Sequence, residues 1–202
     1  MSLAKQYPDK LKQLLAVYDE EAKKNNVYPL DDRTPPEILT TPRPTAEPPR
    51  DRYLYYPVTS AVPEGVAVNV RGRSYKIAAN VEITDANASG VIFAHGSRFG
   101  GHSLFIKHKN LYYVYNFLGI KPEQVFVSNT TLKPGKYTLG MEFTRTGAGE
   151  HGSNEGSTKL YIDDKVVAEG KMRTQPAKFT LSGDGLCVGW DSGDAVSSLY
   201  KA

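Results

Sequence analysis

The chain has 202 residues, a net charge of +3 and 40% hydrophobic residues, which suits one soluble globular domain with an appendage. The charge is too small and too scattered to indicate a nucleic-acid surface, and no apolar run approaches the ~20 residues that cross a membrane. The single cysteine, Cys187, excludes an internal disulfide and a cysteine-cluster zinc site. These properties are compatible with either the cytoplasm or the periplasm.

The first predicted element is an amphipathic helix over Pro8 to Asn25. Proline suits the first helical position, and Asp9 lies where the helix dipole favours an acid. Apolar residues recur at three- and four-residue spacing, so they form one stripe that must be buried, either on this chain or on a missing N-terminal domain. The stripe consists of Leu11, Leu14, Leu15, Tyr18 and Ala22.

A proline-rich segment follows the helix. Thr34 to Arg50 reads TPPEILTTPRPTAEPPR, a composition that excludes helix and central strand and favours an extended, semi-rigid spacer. The sequence therefore predicts a helical segment over 1–33, a linker over 34–52 and a β-domain over 53–202.

The β-domain is predicted from alternation and from β-branched and aromatic runs. Arg73 to Thr84 alternates apolar and polar residues most regularly, as expected of a strand with one buried face. The predicted fold is mainly β, an antiparallel two-sheet sandwich preceded by one α-helix and the linker. Other strands are predicted over Tyr53–Tyr56, Val91–His95, Ser103–Lys107, Leu111–Phe117, Val125–Val127, Lys136–Thr144, Lys178–Leu181 and Leu186–Gly189, with a hairpin over Lys159–Met172 and a flexible loop over Thr146–Ser157.

Two groups of side chains are candidate ligand-binding sites. His95, Arg98, Phe99 and His102 lie where two predicted strands meet at a glycine-rich corner, and Arg with His can hold an anion such as sulfate or carboxylate. Trp190 and Asp191 are the second group, because an aromatic ring beside an acid can hold a sugar. The competing interpretation is that these are loop polar residues and one core tryptophan.

Asp163 and Asp164 are the candidate metal ligands, for Ca²⁺. Calcium needs more oxygen ligands than two acids supply, so a hairpin turn is the favoured interpretation. Cys187, between Leu186 and Val188, is interpreted as a core residue, with a Cys/His nucleophile pair as the alternative. No HExxH, GxSxG or phosphate-loop motif is present, so we predict no catalytic residue and no cofactor in this chain.

The stretch GVIFAHGSRFGGHSLFIKHKNLYYVYNFLG, residues 90–119, resembles the β-sandwich that follows the catalytic domain in many bacterial arylsulfatases. The resemblance implies a concanavalin A-like jelly roll, related to laminin-G domains. Residues 8–33 resemble the helix and tail that close the catalytic domain of type I sulfatases. Further segments resemble successive strands of the same module, in order: RYLYYP, RGRSYKIAANVEI, LKPGKYTLGMEF, KLYIDDKVVAEGKM and GLCVGWDSGDAVSSLY.

The resemblance implies the C-terminal region of a longer arylsulfatase, without its catalytic domain and with the sandwich cut short at its C-terminal end. Such enzymes hydrolyse sulfate esters with a formylglycine beside Ca²⁺. The Cys/Ser-x-Pro-x-Arg motif that yields formylglycine is absent, because Cys187 is followed by Val188 and Gly189, so no family catalytic residue falls here.

The function expected from the resemblance is a non-catalytic accessory module that packs on the missing sulfatase domain or shapes its site, with no nucleic-acid or membrane partner. A lectin-like carbohydrate-binding module is the first alternative, motivated by Tyr112, Tyr113 and Tyr115. A free-standing hydrolase is the second, and it would need facing carboxylates such as Glu82 and Glu142.

Overall fold

The computed structural model describes residues 3–34, 37, 50–175 and 185–202. The chain divides into two compact units, Met1–Arg50 and Asp51–Ala202. Most of the predicted linker over 34–52 and all of the predicted strand Lys178–Leu181 lie outside the described residues. Within the described ranges, no helix combines the length and the apolar character needed to span a membrane.

The predicted helix is confirmed as α1, Pro8–Lys24, with proline in its first turn and lysines in its last. After the helix the chain turns back, and the Tyr28 ring packs edge-on against Tyr18 at 6.4 Å while its hydroxyl donates to the Asp19 carboxylate at 3.0 Å. Ala22 is buried at this end. The rest of the apolar stripe remains exposed.

The second unit is the predicted antiparallel sandwich of two sheets. Its four-stranded sheet has the order β1-β6-β7-β8 and its five-stranded sheet the order β5-β4-β3-β2-β9. The strands are β1 (Tyr75–Ile83), β2 (Gly90–Ser97), β3 (Gly100–Lys107), β4 (Asn110–Asn116), β5 (Gln124–Thr131), β6 (Gly135–Ala148), β7 (Asn154–Ile162), β8 (Lys165–Thr174) and β9 (Leu186–Val188).

The core lies between the sheets and is built from alternate residues of each strand. Leu139, Met141 and Phe143 of β6 face Leu104 of β3 and its neighbours, and all four are fully buried. Side chains on a strand point to opposite faces with a period of two, and the register shifts in β2, β6 and between β7 and β8 interrupt this period locally. The alternating pattern of 73–84 was therefore read correctly as β1.

The predicted strand Tyr53–Tyr56 is wrong. These residues form no strand, although Tyr55 packs on the core and its hydroxyl accepts the backbone N–H of Val68 at 2.9 Å. The aromatic residues suggested a strand, but the segment is irregular and Tyr55 anchors it to the core.

The flexible loop predicted over Thr146–Ser157 is also wrong. Strand β6 continues to Ala148 and β7 begins at Asn154, so only a short connection with a 3-10 turn separates them. Glycine there serves packing: a Cβ on Gly156 would lie 2.2 Å from the Thr144 carbonyl oxygen and 2.6 Å from the Phe143 ring. Gly156 therefore marks a close approach, whereas a Cβ on Gly147 would meet nothing within 4 Å.

Residues 191–200 cross the outer face of the five-stranded sheet. Asn116 donates a side-chain N–H to the Val196 carbonyl at 2.9 Å, and the Tyr200 ring lies 4.8 Å from that of Phe105. Asp191 fastens this segment, because its carboxylate accepts the Tyr200 hydroxyl at 2.6 Å and the Val196 N–H at 3.1 Å.

Candidate functional site

A tight hairpin between β2 and β3 positions the two histidines of the candidate cluster. The pairing runs Ser97 to Gly100, Gly96 to Gly101 and His95 to His102, with only Arg98 and Phe99 in the turn. Gly96 adopts a φ of +94°, and a Cβ there would lie 2.2 Å from the Gly100 carbonyl oxygen, so only glycine fits. Strand β2 thus continues to Ser97, past the end predicted at His95.

His95 and His102 are cross-strand partners whose rings lie side by side inside the sandwich. Their ring centroids are 5.8 Å apart, and their residues are 2% and 0% exposed. The rings of Phe93 and Tyr115 pack around His102 at 5.0 and 5.9 Å. This burial separates both imidazoles from solvent.

A chain of hydrogen bonds joins the two sheets at this point. The hydroxyls of Tyr75 on β1 and Tyr113 on β4 are 2.9 Å apart, and the Tyr113 hydroxyl is 3.1 Å from His102 Nδ1. Burial raises the pKa of Tyr113 well above its ordinary value, so the phenol stays protonated. The chain orients the His102 ring through its Nδ1 atom.

The remaining imidazole nitrogens have no hydrogen-bond partner in the described part of the chain. Among the described residues, neither ring nitrogen of His95 nor Nε2 of His102 makes a hydrogen bond, and the same holds for Nε of the nearby Arg71. Burial, with a smaller contribution from the Arg71 charge, lowers the pKa of His95 to about 4. Burial, with a contribution from His95, lowers the pKa of His102 well below its usual value. Both rings are therefore neutral near pH 7.

Neutral imidazoles can accept a proton or coordinate a metal, but this pair has limited access to either role. A general base must come within hydrogen-bond reach of its substrate, and His102 has no exposed surface. Within the described ranges, no group of three or more His, Cys, Asp or Glu side chains could hold a metal ion. The arrangement suits a buried polar cluster that holds the sheets in register.

The other two members of the predicted cluster lie in the turn and face solvent. Phe99 is 56% exposed, and the Arg98 guanidinium lies 4.7 Å from its ring centroid while pairing with Asp194 at 3.3 Å. Strand alternation therefore splits the predicted group into a buried pair and an exposed pair. They do not form one anion site, because the histidines point between the sheets.

Trp190 and Asp191 also go to separate places. Trp190 is 38% exposed and lies just after β9. The preceding residue, Gly189, donates its N–H to the Ile92 carbonyl near the start of β2. The Asp191 carboxylate is engaged within residues 191–200, as described above. Since Phe99 follows the end of β2, it lies about seven residues, or ~23 Å, from Trp190 along the sheet.

Asp163 and Asp164 form the two-residue turn between β7 and β8. Asp163 has a φ of +52°, and its carboxylate accepts the Thr138 backbone N–H at 2.9 Å. This confirms the predicted hairpin turn. The carboxylate is engaged by the backbone of the neighbouring strand β6, which is the structural role that aspartate plays in turns.

Two catalytic alternatives were raised from the sequence: a Cys187/His nucleophile pair and a facing pair of carboxylates. The positions of the residues support neither of them. Cys187 is paired with Ala94, the residue before His95, so its side chain is on the opposite sheet face from both histidines, 3.6 Å from the Ser192 hydroxyl. Glu142 lies opposite Lys76 and Glu82 opposite Lys136. Six residues of β1, about 20 Å, separate the two acids, far more than a glycosidase pair allows.

The hydroxyls and the guanidinium around the histidines were missed by sequence reasoning. Tyr75 was placed on a strand without a role, Tyr113 was considered only as part of a carbohydrate-binding surface, and Arg71 was given no role. Two signals were available in the sequence. Strand alternation indicates that Tyr75 points inward, and counting outward from a two-residue turn at Arg98 and Phe99 pairs His95 with His102. The contact between the two sheets required the structure.

No protein-family model and no curated protein matches this chain. The fold class is therefore shown by the structure alone: an antiparallel two-sheet β-sandwich with one preceding helix.

Proposed function

We propose that this chain is a non-catalytic accessory module of an arylsulfatase, which packs on the catalytic domain of that enzyme through α1. The observation that carries the proposal is the exposed apolar face of the helix. Leu11, Leu14, Leu15 and Tyr18 are 40–57% exposed. A helix in a protein gains most of its stability from packing such an apolar face against another surface, so α1 fits a partner surface.

The features of the sandwich support a structural role. His95 and His102 are buried, Asp163 holds a turn, Asp191 holds the segment 191–200, and Cys187 is buried. Together with the resemblance of residues 8–33 to the end of a sulfatase domain, this favours a module that supports an active site built elsewhere. The sulfate-ester chemistry, with its formylglycine and Ca²⁺, would belong to that other domain.

The test compares the whole product of the gene with this chain in a 4-nitrophenyl sulfate hydrolysis assay. We expect activity only in a longer product. A gene product no longer than this chain, or a longer one that hydrolyses no aryl sulfate, would refute the proposal. Activity of the isolated chain would do the same.

The role of the helix is tested in the longer product by Leu14→Glu, with Gln13→Glu as the matched control. Both introduce one carboxylate, but Gln13 lies on the polar side of α1. We expect Leu14→Glu to lower thermal stability and hydrolysis and Gln13→Glu to change neither. Equal behaviour of the two variants would contradict docking through the apolar stripe.

A carbohydrate-binding function is the second candidate, favoured by the exposed Phe99 ring beside Arg98. The ring is exposed enough for a sugar to stack on it, and the guanidinium could donate hydrogen bonds to an anionic sugar substituent. Binding on a glycan array that includes sulfated sugars, lost in Phe99→Ala and kept in Trp190→Ala, would support it. An array without a signal would eliminate it.

A further inference from the structure

Strand β1 is an open edge of the four-stranded sheet. All nine of its residues pair with β6 without a bulge, and no described strand pairs with its other side. An edge strand of a soluble protein is usually interrupted by proline, twisted by a bulge or protected by an inward-pointing charge. Tyr75–Ile83 has no proline, no bulge and no inward-pointing charge; its two charged residues, Lys76 and Glu82, point outward and are the charges that the edge presents.

The inward face of this edge is incompletely covered. Tyr75, Ile77, Ala79 and Val81 are only half-buried. The opposite positions in β6, from Leu139 to Phe143, are fully buried at their inward residues. Another strand beside β1 would cover this remaining apolar surface and pair its free backbone groups.

The sequence of β1 is complementary to itself when two copies run antiparallel about a two-fold axis at Ala79. Tyr75 would then face Ile83, and Ile77 would face Val81, all on the core side. On the solvent side Lys76 would face Glu82 of the second copy, twice by symmetry. A two-residue slip in either direction keeps the faces matched but separates Lys76 from Glu82, so only one register satisfies both the apolar and the charged positions.

We propose that a second copy of this chain occupies the β1 edge, in antiparallel register about Ala79, and joins the two four-stranded sheets into one eight-stranded sheet. Such an interface is isologous, because each copy contributes the same strand. It uses main-chain hydrogen bonds for affinity and the Lys76–Glu82 pairs for register. The surface involved is distinct from the apolar face of α1.

Sedimentation equilibrium of the full chain and of three variants tests this register. Lys76→Glu and Glu82→Lys each place like charges opposite one another at two symmetry-related positions, and we expect each to raise the dimer dissociation constant roughly tenfold. The double variant Lys76→Glu/Glu82→Lys restores opposite charges and should recover the wild-type constant. Each substitution also replaces an ion pair within the chain, Lys76 with Glu142 or Glu82 with Lys136, by a like-charge pair. Both side chains are more than half exposed, so we expect only a small loss of folding stability, about 1 kcal/mol or less.

Two controls separate this interface from other effects. Lys136→Glu changes a charge on β6 beside Glu82 but outside the proposed contact, and Leu14→Glu changes the helix face; both should leave the dimer intact. A monomeric wild-type chain would overturn the proposal, as would a dimer that is insensitive to the single charge changes or not restored by the double one.

Hydrogen exchange identifies the occupant of the edge. With the second copy as occupant, β1 amides facing away from β6 become protected as the concentration rises through the dissociation constant. Protection of those amides in a monomer would mean that another segment covers the edge, and would overturn the proposal.

Discussion

Acid should destabilise the sandwich because His95 and His102 are buried in their neutral forms. The unfolded chain binds a proton on each histidine near pH 6.5, whereas the folded chain resists protonation until a lower pH. Between these limits the unfolded state carries more protons, so stability falls as the pH falls. The contribution is complete above the unfolded pKa and is lost progressively toward the folded pKa.

The size of the effect follows from the His95 pKa of about 4 against an unfolded value of 6.5. Lowering the pH from about 7.5 to about 5 then removes about 2 kcal/mol of unfolding free energy through this residue alone. The full difference, about 3 kcal/mol, is reached only near the folded pKa. His102 adds to the loss in the same direction.

The assay is urea unfolding followed by circular dichroism at both pH values, on the wild type and on His95→Leu. Leucine keeps the site apolar and removes two unpartnered nitrogens, so we expect no loss of stability near pH 7.5. Its pH dependence should be shallower by about 2 kcal/mol across the interval. His108→Asn, at an exposed turn, should keep the wild-type slope. An unchanged slope in His95→Leu would refute the reasoning.

Two further predictions concern the packing around the site. Tyr113→Phe removes the hydroxyl between the sheets and leaves the half-buried Tyr75 hydroxyl and the buried His102 Nδ1 without this partner, so it should cost about 1–3 kcal/mol in urea unfolding, against little for Tyr112→Phe on the outer face. Equal losses of unfolding free energy in the two variants would argue against the chain of hydrogen bonds between the sheets. Gly156→Ala should lower the melting temperature, with a cost of about 2 kcal/mol or more, because its new methyl meets backbone. In Gly147→Ala the new methyl meets nothing within 4 Å, so the melting temperature should stay unchanged. Similar melting temperatures for the two variants would contradict the packing argument.

The regular parts of the fold were predictable because one physical period dominates each of them. The three- and four-residue spacing of leucines identified α1, and the alternation of 73–84 identified β1. The prediction failed at 146–157, where glycine was read as a sign of a loop. Glycine has two uses in β-proteins, turning the chain and allowing close approach, and composition alone does not distinguish them.

The candidate site was predicted in part for the same reason. His95 and His102 were correctly grouped, because a glycine-rich corner does join their strands. Arg98 and Phe99 were grouped with them since closeness in sequence was taken as closeness in the site. In a hairpin with a two-residue turn, residues i and j that pair share a face, whereas the turn residues leave the sheet. The partners Tyr75 and Tyr113 come from different sheets, a relation that no local pattern carries.

The burial of the polar cluster also limits where any ligand could bind. Neutral imidazoles enclosed between two sheets affect the stability of the fold, but they cannot contact a molecule in solvent. A glycan that binds at this hairpin would therefore contact Arg98 and Phe99 in the turn rather than the histidines. If Phe99→Ala abolished glycan binding while His95→Leu preserved it and altered only the pH slope, recognition and stability would be assigned to opposite sides of one hairpin. Loss of binding in His95→Leu at unchanged stability would instead require the interior of the sandwich to open to ligands.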